Sequence, residues 1–128
     1  MLTGWSLPST LDVGDDGCNF STSGGTDCGY NVYSGEVQRR GSPLAHMFHD
    51  TLANLSRCTP GDPTCSPEQQ GWDSFNTGPF SNMQTWVYWS ATADALDPST
   101  NAWIFNGYYG HQNIDGQNHA AYAVAVRP

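Results

Sequence analysis

Trp86-Val87-Tyr88-Trp89-Ser90-Ala91-Thr92 is dominated by aromatic and β-branched residues, and reading it as a strand decides the fold class. Ala102-Trp103-Ile104-Phe105 reads as a second strand, after a turn built on Pro98 with Ser, Thr and Asn around it. Tyr122-Ala123-Val124-Ala125-Val126 reads as a third, apolar on both faces. Upstream, Ser42-Pro43 has the form of an N-cap followed by proline at the first helical position. Leu44, Phe48, Leu52 and Leu55 then recur at helical spacing, with Met47 and Thr51 on the flank. That spacing predicts an amphipathic helix over 43–56, packed on the sheet. Residues 1–41 and 57–84 read as loop, the latter anchored by Trp72, Phe75 and Phe80. The expected class is α+β: a small antiparallel sheet with one main helix and long loops, in a single domain, 1–128.

Composition narrows the function. The chain has four Arg, no Lys and twelve acidic residues, for a net charge of −8. Nucleic acid is a poor partner for it, because phosphate binding depends on Lys and Arg releasing counterions. No apolar run exceeds the seven residues 120–126, far below the ~20 that span a bilayer, so membrane insertion is not expected. Five Trp, six Tyr and five Phe point to a core pinned by large rings. The expected core rings are Trp5, Trp86, Trp89 and Trp103.

The four cysteines fall in two local pairs, Cys18 with Cys28 and Cys58 with Cys65. Thr59-Pro60-Gly61-Asp62-Pro63-Thr64 is a turn sequence that brings the second pair together. We read both pairs as disulfides, each worth roughly 2.5–3 kcal/mol by loop closure. The competing readings are free thiols and a zinc site, although zinc knuckles prefer two to four residues between paired cysteines. Disulfides point to a secreted or cell-surface protein, while Met1-Leu2-Thr3-Gly4-Trp5 does not read as a signal peptide.

The segment 106–121 is rich in Gly, Asn, Gln, His and Tyr and has no apolar period. Connections of that length are more often functional than not. Tyr supplies rigid contact area, and Asn, Gly and His supply adaptable hydrogen bonds, the composition of antibody-type contact loops. The expected ligand-binding residues are Tyr108, Tyr109, His111, Asn113, Ile114, Asp115, Asn118 and His119, with help from 93–101. The other reading is a soluble connection with no partner.

Other sites are weaker. Asp12, Asp15, Asp16 and Asp27 are candidate calcium ligands, but their spacing lacks the alternation and terminal Glu of an EF-hand loop. No other cofactor is expected. His46 and His49 lie three apart without a third metal ligand at a telling spacing, and read as surface histidines. No Gly-x-Ser-x-Gly elbow accompanies His111 or His119, and no phosphate loop exists without Lys. An enzyme is not expected. Asn19-Phe20-Ser21 and Asn54-Leu55-Ser56 match the glycosylation sequon.

Trp5-Ser6-Leu7-Pro8-Ser9 resembles a "W-R-L-P-T" signature, with Ser6 where Arg is usual. Tyr88-Trp89-Ser90-Ala91-Thr92, Ala102-Trp103-Ile104-Phe105 and the terminal Tyr122-Ala123-Val124-Ala125-Val126-Arg127-Pro128 resemble that signature's companions, in order. Together they resemble the bacterial Lcl C-terminal-domain family. The resemblance implies a C-type-lectin-like fold, here lacking the family's usual first strand and helix, and a role in binding and display. It also implies Arg127 set against carboxylate neighbours. A second resemblance is to the variable proteins of diversity-generating retroelements, whose C-terminal segment is rewritten at asparagine-type codons. Tyr108, Tyr109, His111, Asn113, Ile114, Asp115, Gly116, Asn118, His119, Ala120 and Ala121 belong to the set such rewriting yields. Gly110, Gln112 and Gln117 interrupt it as fixed framework.

The expected function is therefore a non-enzymatic receptor or display domain that binds a protein or carbohydrate ligand through 93–121. The alternatives are an extracellular carbohydrate-binding adhesin and a structural surface or assembly protein. Oligomeric state is not legible.

Overall fold

The structure is a computed structural model, and it describes residues 4–12, 28–30, 42–60 and 64–127. Helix α1, Pro43–His46, starts as the sequence predicts: Ser42 Oγ accepts from Ala45 N at 3.3 Å, and proline fills the first turn. The helix does not reach 56. It widens into a π-helical turn over Met47–Thr51 and stops, with Leu52 N donating to Met47 O and Ala53 at φ +55°. The stop has a physical cause. Asn54 is buried and its side chain is committed to the loop opposite, Nδ2 donating to Asn76 O and Oδ1 accepting from Asn76 N. Leu44, Phe48 and Leu52 face inward as the stripe requires, whereas Leu55 lies past the break and is 43% exposed.

Strands β1 (Val87–Ala93), β2 (Asn101–Asn106) and β3 (His111–Gly116) form one antiparallel sheet in that order. The first two are the expected strands to within a residue. The β1–β2 connection is built on buried Asp94, whose Oδ1 accepts from Leu96 N, and on Asp97 O, which accepts from Thr100 N and Asn101 N. The third strand is a correction. The run 122–126 makes only isolated bridges, Tyr122 to Tyr88 and Val126 to Ser6, and β3 arises inside the expected loop. The apolar run finds no second face to bury against, and Tyr122 and Val126 stay exposed. The polar run His111-Gln112-Asn113 enters the sheet because its polar groups are satisfied. Ser42 Oγ donates to Gln112 Oε1, and Gln112 exchanges backbone bonds with Gly29.

The core joins Leu44, Ala45 and Phe48 to Tyr88 and Phe105, with Met47, Phe75, Met83 and Val124 against it. Burying each of these rings contributes roughly 2–3 kcal/mol. The tryptophans divide differently from expectation. Trp103 is buried, with its Nε1 donating to Asp12 Oδ2 at 2.8 Å, and Trp89 is half-buried. Trp5 and Trp86 are about half exposed, so neither is a core ring. Arg127 lies over the Trp5 ring, 5.5 Å from its centre, where a carboxylate neighbour was expected.

Cys58 and Cys65 form a disulfide. Cys28 is buried with its Sγ 3.3 Å from Gln112 O, and Cys18 lies outside the described residues. Among the described residues no helix is long and apolar enough to cross a membrane.

Candidate functional site

The site grows from the turn between β2 and β3. Asn106 Oδ1 accepts from Tyr108 N and Tyr109 N, both at 2.9 Å, and Gly110 N closes back on Asn106 O at 2.8 Å. Gly107 N donates to Trp86 O at 2.8 Å, so the turn is fastened at its root to the residue preceding β1. Gly110 completes it at φ +80°, a conformation glycine adopts without cost. This geometry sets Tyr108 and Tyr109 side by side, ring centres 4.9 Å apart and edge to face.

Other rings gather on them. Trp72 meets Tyr108 edge-on at 5.4 Å and Tyr109 at 5.9 Å, while Phe75 and Trp86 lie 5.8 and 6.2 Å from Tyr108. His111 stacks on Tyr109 at 6.1 Å and takes the buried Tyr30 ring on its edge at 5.0 Å. Arg57 covers two of the rings, 5.2 Å from the centre of Tyr109 and 5.9 Å from that of Trp72. Glu68 holds this group in place: Oε1 accepts from Arg57 Nε at 2.5 Å and Oε2 from Trp72 Nε1 at 3.0 Å.

The chain brings 57 and 68 together by closing the loop between them. The disulfide joins Cys58 to Cys65, and beyond it Gln69 Nε2 donates to Ser56 O, Ser56 Oγ and Cys58 O. Arg57 N then donates to Tyr109 O at 2.8 Å, tying the loop to the turn.

Electrostatically the surface is quiet. Arg57 and Glu68 cancel, and the hydrogen bond to Glu68 raises the guanidinium further above its ordinary range. Burial pushes His111 down to about 4 and raises the Tyr30 hydroxyl, so both are neutral at pH 7. A neutral, ring-rich surface on a chain of net charge −8 is suited to stacking and apolar contact.

No family model, curated protein or solved structure matches the chain.

Of the residues expected from sequence, Tyr108, Tyr109 and His111 come together here. Asn113 is buried, its Oδ1 accepting from Ile114 N, and Ile114 is half-buried. Asp115 and His119 pair with each other at 2.6 Å at the opposite end of β3, and Asn118 is exposed beside them. Asp12 is engaged by Trp103 Nε1 and by Ala95 N, and Asp15, Asp16 and Asp27 lie outside the described residues. Among the described residues no three His, Cys, Asp or Glu side chains are grouped to hold a metal. His46 pairs with Asp50 at 2.6 Å. His49 sits inside the fold, where a surface histidine was expected: Nε2 is 3.1 Å from Gly110 O and Nδ1 3.3 Å from Asn54 O. Sequence reasoning missed Arg57, Glu68 and Trp72 as members of the site. The signal was the cysteine spacing, because closing 58 on 65 places 57 beside 68.

Proposed function

We propose that this chain is a non-enzymatic ligand-binding domain of C-type-lectin-like fold, secreted or cell-surface, displaying a diversified contact segment at 106–121. One observation carries the reading: the fold ties down the residues read as framework, Gly110, Gln112 and Gln117. Gly110 has no room for a side chain, since a Cβ would meet Ser56 Cα at 2.8 Å and Phe48 Cε1 at 2.9 Å. Gln112 is 2% exposed and bonded to Gly29 and Ser42. Gln117 N donates to Thr100 O, and its Nε2 to Pro98 O and Asn101 O. Around them, Tyr108, Tyr109, His111, Ile114, Asp115, Asn118 and His119 keep some or much of their surface in solvent. Two positions the pattern marks as variable depart from this: Asn113 is buried, and a Cβ at Gly116 would meet Asn118 Oδ1 at 2.8 Å.

Sequencing the encoding locus and its copies tests this. The expected result is a near-repeat of the segment beside a reverse-transcriptase gene, with substitutions concentrated at 108, 109, 111, 113–116 and 118–121 but sparing 110, 112 and 117. Substitutions spread evenly over 110, 112 and 117, or the absence of any such repeat, would remove the reading. An alternative outcome, glycan-array binding lost in Trp72→Ala, favours the carbohydrate adhesin, since half-buried rings beside an Arg–Glu pair also suit a sugar face.

A further inference from the structure

Two of the most exposed large apolar side chains, Trp86 at 52% and Tyr122 at 46%, line one open cleft of about 330 Å³ with Ala120 and Ala121. Both positions are fixed by the sheet. Trp86 O holds Gly107 N, while Tyr122 N donates to Val87 O, Tyr122 O accepts from Trp89 N, and its ring rests 5.8 Å from that of Tyr88. The cleft is therefore built by backbone bonds. It is also continuous with the ring surface described above, because Trp86 is shared with Tyr108.

We propose that this cleft is the anchor pocket for a large apolar side chain of a basic protein partner. The proposal rests on the ligand-binding reading and adds the partner's chemistry. The side chains lining the cleft offer an indole N–H, a phenol O–H and two methyl groups. A saccharide there would lay hydroxyls against methyls and lose hydrogen bonds that water supplies, whereas an aromatic or branched aliphatic group loses none. A free small molecule is not held well by so open a site, since ligand pockets enclose most of their guest's surface. An anchor on a larger surface needs no such enclosure, and Trp and Tyr are the residues that dominate such contacts. The cleft's own lining carries no charge, so the charge preference is set at long range: a chain of −8 without a single Lys attracts a cationic partner and repels an acidic one.

The test is to pan a random peptide library displayed on phage against the intact protein, then measure a synthetic copy of the enriched peptide on three variants. Ala120→Phe fills the cleft without removing a ring, and Ala120 is exposed, so folding is preserved. Trp86→Ala removes one side of the cleft, and Trp72→Ala alters only the neighbouring ring surface. Enriched peptides carrying Trp, Phe or Leu flanked by Lys or Arg are expected, with affinity falling at least tenfold in Ala120→Phe and Trp86→Ala and less in Trp72→Ala. Peptides lost in Trp72→Ala but indifferent to Ala120→Phe overturn the anchor pocket and leave the binding reading standing. Peptides indifferent to all three overturn both. Failure to enrich any such peptide overturns the proposal, as does a neutral glycan whose binding Ala120→Phe abolishes.

Discussion

Gly110 shows how much a single position decides here. Its φ of +80° and the absence of any space beside it make two separate demands, one on the backbone and one on the packing. Gly71 makes only the first: its φ is +88°, yet nothing lies within 4 Å of where a Cβ would sit. Gly71→Ala should therefore cost about 1 kcal/mol from the left-handed backbone. Gly110→Ala should add the expulsion of Ser56 and Phe48, for a total of roughly 2–4 kcal/mol. Thermal melts of the two variants check this, and equal losses would mean that the contact with Ser56 and Phe48 carries no weight. Asn54 makes a related point. It stands in a glycosylation sequon, but its amide is buried and bonded to Asn76, so the folded chain does not present it for modification.

At the scale of elements, the described residues of 53–60 and 64–85 do work usually left to regular structure. Asn54 and Asn76 bond reciprocally, Asn76 Nδ2 donates to Leu52 O, and Gln69 collects the carbonyls of Ser56 and Cys58. The disulfide is the covalent part of that arrangement. Closing so short a loop is worth about 2.5 kcal/mol through the unfolded chain. Replacing both cysteines with Ser (Cys58→Ser with Cys65→Ser) should lower stability by about that amount in a denaturant titration. It should also loosen Arg57 and Glu68 from Trp72, seen as a change in tryptophan fluorescence. An unchanged midpoint would show that the loop is held by its hydrogen bonds alone. This loop also marks where sequence legibility ends. β1 and β2 were legible because Val87, Tyr88, Trp89, Trp103, Ile104 and Phe105 have strand chemistry in their own side chains. The start of the helix was legible from Ser42-Pro43, but its end was not, because what stops it is Asn76, 22 residues away from Asn54. β3 was hidden for the same reason: Gln112 and Asn113 look like loop residues until Ser42 and Gly29 satisfy them. Tyr108, Tyr109 and His111 stand out by composition and do come together at the turn, whereas Arg57 and Glu68 join them only through tertiary contact.

Across the whole molecule, the two ends of the described chain close on one side of the sheet. Val126 and Ser6 exchange backbone bonds, Ala91 N donates to Pro8 O, and Tyr122 takes the neighbouring stretch of β1, so that strand is not left as a bare edge. Two histidines flank the β2–β3 turn. His49 reaches Gly110 O from the helix, and His111 follows Gly110 into β3 between Tyr30 and Tyr109. Burial pushes each of them down to about 4 from an ordinary value of 6.5. Between those two pH values the unfolded chain takes up protons that the folded chain refuses. Acidification through this window therefore favours unfolding, and stability is full above about pH 6.5 and falls progressively toward pH 4. Each histidine contributes up to roughly 3 kcal/mol to that slope. Because both flank the turn that carries Tyr108 and Tyr109, the ring cluster there should loosen along with the fold. Melting temperatures taken from pH 7.5 to 4 should decline, and His49→Gln or His111→Gln should each flatten the decline while lowering the neutral-pH value. A wild-type profile level across the window would mean that the folded chain takes up protons at these histidines as readily as the unfolded chain does.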